Sequence, residues 1–358
     1  MTGETADRVR AIIDLGALRR NVQRLGSMIA PSEIMLAVKA DAYGHGLIPI
    51  AQAGLNAGAS SLAVLEVSTG LSVRDAGITV PVLAWLHGSQ TPWRSGIEAQ
   101  IELGISARWQ LDAIATAGAS RPAILHLKID TGLSRNGATR EDWPALVKRA
   151  VELEHSGIAR IRAVWSHLSD TSVEEDRSAL AEFHEAIAVA QALGATFEIV
   201  HLAASSAGIR MPEARFDLVR FGIAAYGFSP FDETTGTDLG LEAVMRLETR
   251  LTRIDTTKDK RWGILSAGFA DGIPVPGASH ACVVIGGERR SIMEVGCDTT
   301  VVDLGTTTDQ VRVGDTAIIF GSGRDGEATA EEYARWAGTI PDEIVTGISA
   351  RVPRIYHE

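Results

Sequence analysis

Cysteine is nearly absent from this sequence of 358 residues. Cys282 and Cys297 are its only two, too few for a disulfide framework and without a C-x-x-C spacing. The nine histidines are scattered and form no H-E-x-x-H pattern, so no metal is expected. No stretch reaches the roughly 18 consecutive apolar residues that a membrane helix needs. Basic runs are missing too, and the formal net charge is −11. That balance argues against nucleic acid and anionic membranes as partners and mainly favours solubility. Met1–Asp7 has neither a positive n-region nor an apolar h-region, so a cytoplasmic location is expected. Internal repeats and low-complexity tracts are not found.

What is present is an ordinary globular composition, 45% hydrophobic and 22% charged, with length for roughly two domains of about 150 residues. Through residue 230, short apolar runs alternate with helix-like segments. Asp14 is placed to cap a helix in which Leu18, Val22, Leu25 and Ile29 share one face. Strands are expected at 34–38, 61–64, 80–84, 101–106, 123–129, 160–166, 197–200 and 216–220, with helices at 109–119, 142–155 and 173–193 among them. Eight such units imply an α/β fold, an N-terminal (β/α)8 TIM-type barrel over 1–230. The polar, turn-rich Ser229–Asp238 reads as a boundary. Beyond it, apolar runs at 244–254, 281–285, 291–295, 299–303 and 316–320 imply a mostly-β C-terminal domain over 231–358.

The densest chemistry lies in Ala37-Val38-Lys39-Ala40-Asp41-Ala42-Tyr43-Gly44-His45-Gly46. Ile34–Val38 reads as a buried strand that carries Lys39 to the rim of the sheet. Desolvation there lowers a lysine's proton affinity and makes it a nucleophilic amine, which Schiff-base chemistry requires. Other segments follow in order: Lys128-Ile129-Asp130-Thr131-Gly132-Leu133-Ser134-Arg135-Asn136-Gly137, Ser166-His167-Leu168, Ala204-Ser205, and Val219-Arg220-Phe221-Gly222-Ile223.

These segments, in this order, resemble the signatures of the alanine racemases, the barrel-type (fold type III) pyridoxal-phosphate enzymes, over about Ile12 to Tyr356. The resemblance implies that pyridoxal 5'-phosphate is held by Lys39 as an aldimine. It places Tyr43, Ser205, Gly222 and Ile223 near the phosphate, where backbone N–H groups after strands seven and eight of a barrel often cradle anions. It sets Arg220 against the pyridine nitrogen; an arginine does not readily protonate that nitrogen, which leaves the ring a weaker electron sink. Arg135 then approaches the substrate carboxylate, Lys128 stands where some members carry a carbamylated lysine, and His167 links the ring-facing arginine to the second catalytic base. A small amino acid as substrate and a head-to-tail homodimer with shared sites are implied as well.

The sequence departs from that pattern mostly in its second part. The second base is usually the tyrosine of Gly-Tyr-Ala-Asp-Gly; here the segment is Gly268-Phe269-Ala270-Asp271-Gly272, and phenylalanine has no proton to exchange. A Cys-Met-Asp element near the substrate carboxylate reads Gly296-Cys297-Asp298, a phosphate-contacting tyrosine is replaced by Asp342, with its carboxylate expected to point away from the phosphate, and Ala204 stands where asparagine is usual. The 253–265 stretch is shorter than in the family. Three readings follow. The first is racemisation of alanine or another small amino acid, with Cys297, or water relayed by His167, as the substitute proton carrier. The second is a pyridoxal enzyme with another outcome: transamination, retro-aldol cleavage or decarboxylation. The third is a non-catalytic protein that binds the cofactor.

Overall fold

The computed structural model describes residues 9–257, 260–275, 280–306 and 310–358; the Met1–Asp7 stretch read for targeting lies outside them. Two compact units emerge. One gathers Val22–Lys39 and Gly54–Gly222, the other the chain up to Asn21, Ala40–Ala53 and Ile223–Glu358.

The described chain begins with β1 (Arg10–Asp14), which belongs to the second of these units. The first unit holds eight strands: β2 (Glu33–Ala37), β3 (Ser61–Val64), β4 (Val82–Ala84), β5 (Glu102–Ile105), β6 (Ala123–Lys128), β7 (Ala159–Trp165), β8 (Ile199–His201) and β9 (Leu218–Phe221). Their order is β8-β7-β6-β5-β4-β3-β2-β9, every pairing parallel. The ring closes where Asp217 N donates to Val200 O and Arg220 N to Ala203 O, both at 3.1 Å. Parallel strands covered on both faces read as continuous apolar runs. Leu36, Leu62, Leu83, Leu103, Leu125 and Val164 accordingly have no exposed surface. This is the expected (β/α)8 barrel, strand for strand.

The longest of the intervening helices shows its capping chemistry plainly. Val173–Ala192 is capped by Ser172, whose Oγ accepts from Glu175 N at 3.1 Å, and Glu174, Glu175 and Asp176 sit at its positive end. Among the described residues no helix is long and apolar enough to cross a membrane.

The second unit is built on β10 (Met245–Thr256), β11 (Arg261–Leu265), β12 (Cys282–Ile285), β13 (Glu288–Val295), β14 (Thr300–Asp303), β15 (Thr316–Phe320) and β16 (Arg354–His357). Its sheet runs β11-β14-β13-β12-β15-β10-β1-β16. β1 lies antiparallel to β10 and parallel to β16, with Ile12 opposite Arg246 on one side and Ile355 on the other. Asp14 does cap the first helix, through Oδ1 to Ala17 N at 2.8 Å. The strand before it is not among the sequence expectations, nor are β11 and β16. Each spans five residues or fewer, and in β1 the half-exposed Ile12 hides the period-2 alternation that Ala11 and Ile13 establish.

Candidate active site

β2 ends at Ala37, and Lys39 follows it, half-buried. β9 is its neighbour in the sheet, with Met35 opposite Arg220. Lys39 and Arg220 therefore stand at the carboxyl ends of adjacent strands. Immediately after Lys39 the backbone turns left-handed: Ala40, Asp41, Ala42 and Tyr43 have φ between +51° and +54°. Each such residue costs roughly 1–2 kcal/mol for an L-amino acid, and strain of this kind gathers at functional sites. The turn is held by Gly44 N to Ala40 O and Gly46 N to Asp41 O, each 2.9 Å. His45, fully buried, adds Nδ1–H to the carbonyls of Ala42 (3.0 Å) and Tyr43 (2.9 Å). Tyr43 is buried against Tyr226, ring centres 4.8 Å apart, and burial together with Asp342 pushes its hydroxyl pKa up. The sequence reading turned Asp342 away from the phosphate; its charge is felt at Tyr43.

Arg220 is the centre of the barrel's polar interior. Its Nη2 donates to Ser166 O and Leu202 O at 2.8 Å and to His167 Nδ1 at 3.1 Å, and its Nη1 to His201 Nδ1 at 3.0 Å. Burial pushes its pKa down to about 9, so it stays a cation at neutral pH. Trp165 packs flat on His201, rings 5.4 Å apart and 8° from parallel, with Arg220 5.0 Å and Lys128 Nζ 4.5 Å from its centre. Gly104 in β5 makes room for this ring: a Cβ there would lie 3.1 Å from Trp165 and 2.9 Å from Trp85. Burial first, then Arg220 and Arg135, push Lys128 down to about 7, against a weaker pull from Asp130. Burial also holds His167 well below its ordinary range, reinforced by Arg220, Lys128, Arg135 and Lys39.

Arg135 is exposed on the loop after β6. That loop is shaped by the Asp130 carboxylate, which accepts from Gly132 N at 3.1 Å and Ser134 N at 3.0 Å. Thr131 Oγ1 meets Ser166 Oγ at 2.9 Å, which ties the loop to the end of β7. Ser205 opens a short helix and is buried; its Oγ accepts from Gly222 N at 3.3 Å. Ile223 starts a 3-10 turn in the β-rich unit.

Phe269, Cys297 and Asp298 form a second cluster, wholly within the β-rich unit. Phe269 N donates to Gly296 O at 2.9 Å and Ala270 N to Cys297 O at 3.0 Å. Gly268 permits this approach, since a Cβ there would lie 2.3 Å from Cys297 O. Phe269 is 51% exposed. Arg351 bridges Asp271 Oδ1 and Asp298 Oδ1, each at 2.7 Å, so the Asp298 carboxylate is already engaged. The Cys297 thiol is exposed, and desolvation with the Asp298 charge pushes its pKa up, away from thiolate.

Sequence reasoning thus named Lys39, Arg135, His167 and Arg220, which the barrel brings to one electrostatic neighbourhood with Lys128. It missed Trp165, His201, His126 and Glu102. One signal was available: His126 and Lys128 are two apart in an apolar strand, so both point to the same face.

Lys39, Arg220 and His167 thus gather at the carboxyl ends of barrel strands, the end at which barrel enzymes carry their active sites. Family models described as the alanine racemase N-terminal and C-terminal domains match residues 13–230 and 251–356. The curated alanine racemase of Salinispora tropica is 42% identical, covering 96% of this chain and 97% of that protein. That of Beutenbergia cavernae is 38% identical, covering 97% of each. Among solved structures, the alanine racemase of Streptomyces lavendulae superposes with a TM-score of 0.94 at 38% identity, over 98% of this chain and 97% of that one. The chain belongs to the alanine racemase family.

Proposed function

We propose that this chain is a pyridoxal-phosphate-dependent racemase of alanine or another small amino acid, working through Lys39. One observation carries the reading: Lys39 and Arg220 end neighbouring strands, and both act on His167 together with Lys128 and Arg135. At Lys128 the Asp130 carboxylate is outweighed by Arg220 and Arg135. That donor set fits an anionic cofactor and a substrate carboxylate. When bound, pyridoxal phosphate withdraws electrons from the substrate Cα and makes its proton labile.

The chain's own residues do the rest. Lys39 would hold the cofactor, and its amine would remove and return the Cα proton on one face. Arg220, a donor held by two imidazoles and two carbonyls, offers the ring nitrogen no proton. Arg135 receives the substrate carboxylate. Ser205, Gly222, Ile223 and Tyr43 hold the phosphate. The opposite face is where this chain differs. Phe269 moves no proton, so that proton comes through water relayed by His167 or from the Cys297 thiol, with Asp298 beside it. The working form is a head-to-tail homodimer in which Phe269, Cys297 and Asp298 face the partner's barrel mouth, and the location is cytoplasmic; both rest on the family likeness and the composition.

Phe269 also favours a second reading, in which the one-sided Lys39 chemistry leads to transamination, retro-aldol cleavage or decarboxylation. Incubation with single L- and D-amino acids in D2O, with cofactor, separates the two. Inversion of a small amino acid with Cα deuteration supports the racemase; keto acid, aldehyde or amine products without inversion overturn it.

A further inference from the structure

A line of hydrogen bonds crosses the barrel interior away from Lys39. Arg220 Nη1 meets His201 Nδ1 at 3.0 Å, His201 Nε2 meets His126 Nδ1 at 3.0 Å, and His126 Nε2 meets Glu102 Oε2 at 2.7 Å. Glu102 Oε1 is paired with Arg162 Nη1. The side chains come from β9, β8, β6, β5 and β7, and Glu102, His126 and His201 are at most 3% exposed.

The proton positions follow from one constraint. A guanidinium has donors only. His201 Nδ1 must therefore accept, and the proton of a neutral His201 sits on Nε2. That proton goes toward His126 Nδ1, which leaves the His126 proton on Nε2, aimed at the Glu102 carboxylate. A second proton on His201 would set two N–H groups face to face at Arg220. A second proton on His126 would force the same clash one step later. Burial, then Arg220, hold His201 well below its ordinary range, in keeping with a neutral ring. Burial alone would raise the Glu102 carboxyl, but the His126 hydrogen bond and Arg162 outweigh it and keep it below its ordinary value.

We propose that Glu102 and His126 are positioning residues: Arg220 and the buried carboxylate hold the direction of the chain from its two ends, the chain fixes the His201 tautomer, and His201 pins the Arg220 guanidinium. The tautomer assignment stands on geometry alone; its effect on turnover rests on the racemase reading, in which Arg220 faces the cofactor ring. With Glu102 neutralised, the far end no longer holds that direction, and Arg220 alone opposes a shift of the His126 proton to Nδ1. His201 would then turn a donor toward Arg220, and the guanidinium would lose its fixed acceptor.

The test is imidazole-15N NMR of the full-length protein with cofactor, using two-bond 1H–15N correlations, which separate Nδ1–H, Nε2–H and imidazolium forms. His126→Asn and His201→Gln supply the assignments. The expected wild-type result is both rings neutral and protonated at Nε2. Glu102→Gln should give mixed tautomers and a kcat lowered about tenfold, the low end of what losing an outer hydrogen-bond partner costs at metal sites, with KM little changed. If Glu102→Gln does not fold, replacing both partners (Glu102→Leu with Arg162→Leu) removes the charge without stranding its mate and should give the same tautomer mixture. An Nδ1–H or imidazolium form of either ring in the wild type overturns the proposal. So does a Glu102 variant, single or paired with Arg162→Leu, that keeps the wild-type tautomers. If wild-type tautomers are as assigned but no amino acid is turned over, the chain of hydrogen bonds stands and the racemase reading falls.

Discussion

Lys128 and Trp165 are cross-strand partners in β6 and β7, with the lysine Nζ 4.5 Å from the centre of the indole ring. The ring's face, with the Asp130 charge, attracts an amine that burial and two arginines have driven down to about 7. The sign of its effect on stability follows. Between pH 7 and the ordinary lysine value the unfolded chain binds one more proton than the folded one, so stability rises with pH across that window. Below pH 7 the whole penalty is present. Lys128→Met should melt higher than wild type below pH 7, with the gap closing toward pH 10. Near neutrality the amine is about half unprotonated and open to carbon dioxide. Added 13C-bicarbonate should produce a carbamate resonance that Lys128→Met lacks; equal melting profiles with no such resonance would count against both claims.

Lys39→Ala should abolish turnover and lose the covalent cofactor. Borohydride reduction of the wild type followed by peptide mapping should find the adduct on Lys39. An adduct on any other lysine would remove the basis of the assignment.

Phe269 should make proton exchange and inversion unequal. Loss of one general acid–base group typically costs about 10²–10⁴-fold. One enantiomer should therefore take deuterium at Cα much faster than it inverts, because Lys39 serves only its own face. Phe269→Tyr should raise inversion relative to exchange. Cys297→Ala should change neither rate where water relayed by His167 is the second proton carrier. A large loss of inversion in that variant would instead make the thiol the second proton carrier.

His45 should tie the left-handed turn to pH. Burial pushes its pKa down to about 4, against the help of its two carbonyl partners. A histidine held below its ordinary value stabilises the fold fully above pH 6.5 and loses that contribution as pH falls through 4. The shift corresponds to roughly 3 kcal/mol. Wild type should lose melting temperature faster than His45→Gln between pH 6.5 and 4. Parallel curves would show that the buried ring is not the titrating group.

The barrel was legible because its strands are apolar on both faces, so that eight runs stand out from the helices between them. Lys39 and Arg220 were legible because both sit inside longer signatures. Glu102 was not: it lies inside the weakly patterned Glu102-Leu103-Gly104-Ile105, where a carboxylate argues against a buried strand. Only the arrival of His126 and Arg162 from other strands makes its burial affordable. β1 and β16 were hidden for a related reason, since their partners are far away in sequence and local pattern carries little of a long-range pairing. Phe269 was visible as a departure, but the sequence could not show that Arg351 already occupies the neighbouring Asp298.

The placement of β1 has a consequence for the order of synthesis. Its partners β10 and β16 begin at Met245 and Arg354, near the far end of the chain. A strand of Arg10-Ala11-Ile12-Ile13-Asp14 therefore leaves the ribosome long before anything can pair with it, a delay on the order of tens of seconds at typical elongation rates. During that interval the barrel strands from β2 to β9 are all made, while both backbone edges of β1 stay open. Nascent chains stalled once Phe221 has cleared the tunnel should accordingly show a protease-resistant barrel with a cleavable N-terminal segment. The segment should become resistant only once His357 has cleared the tunnel.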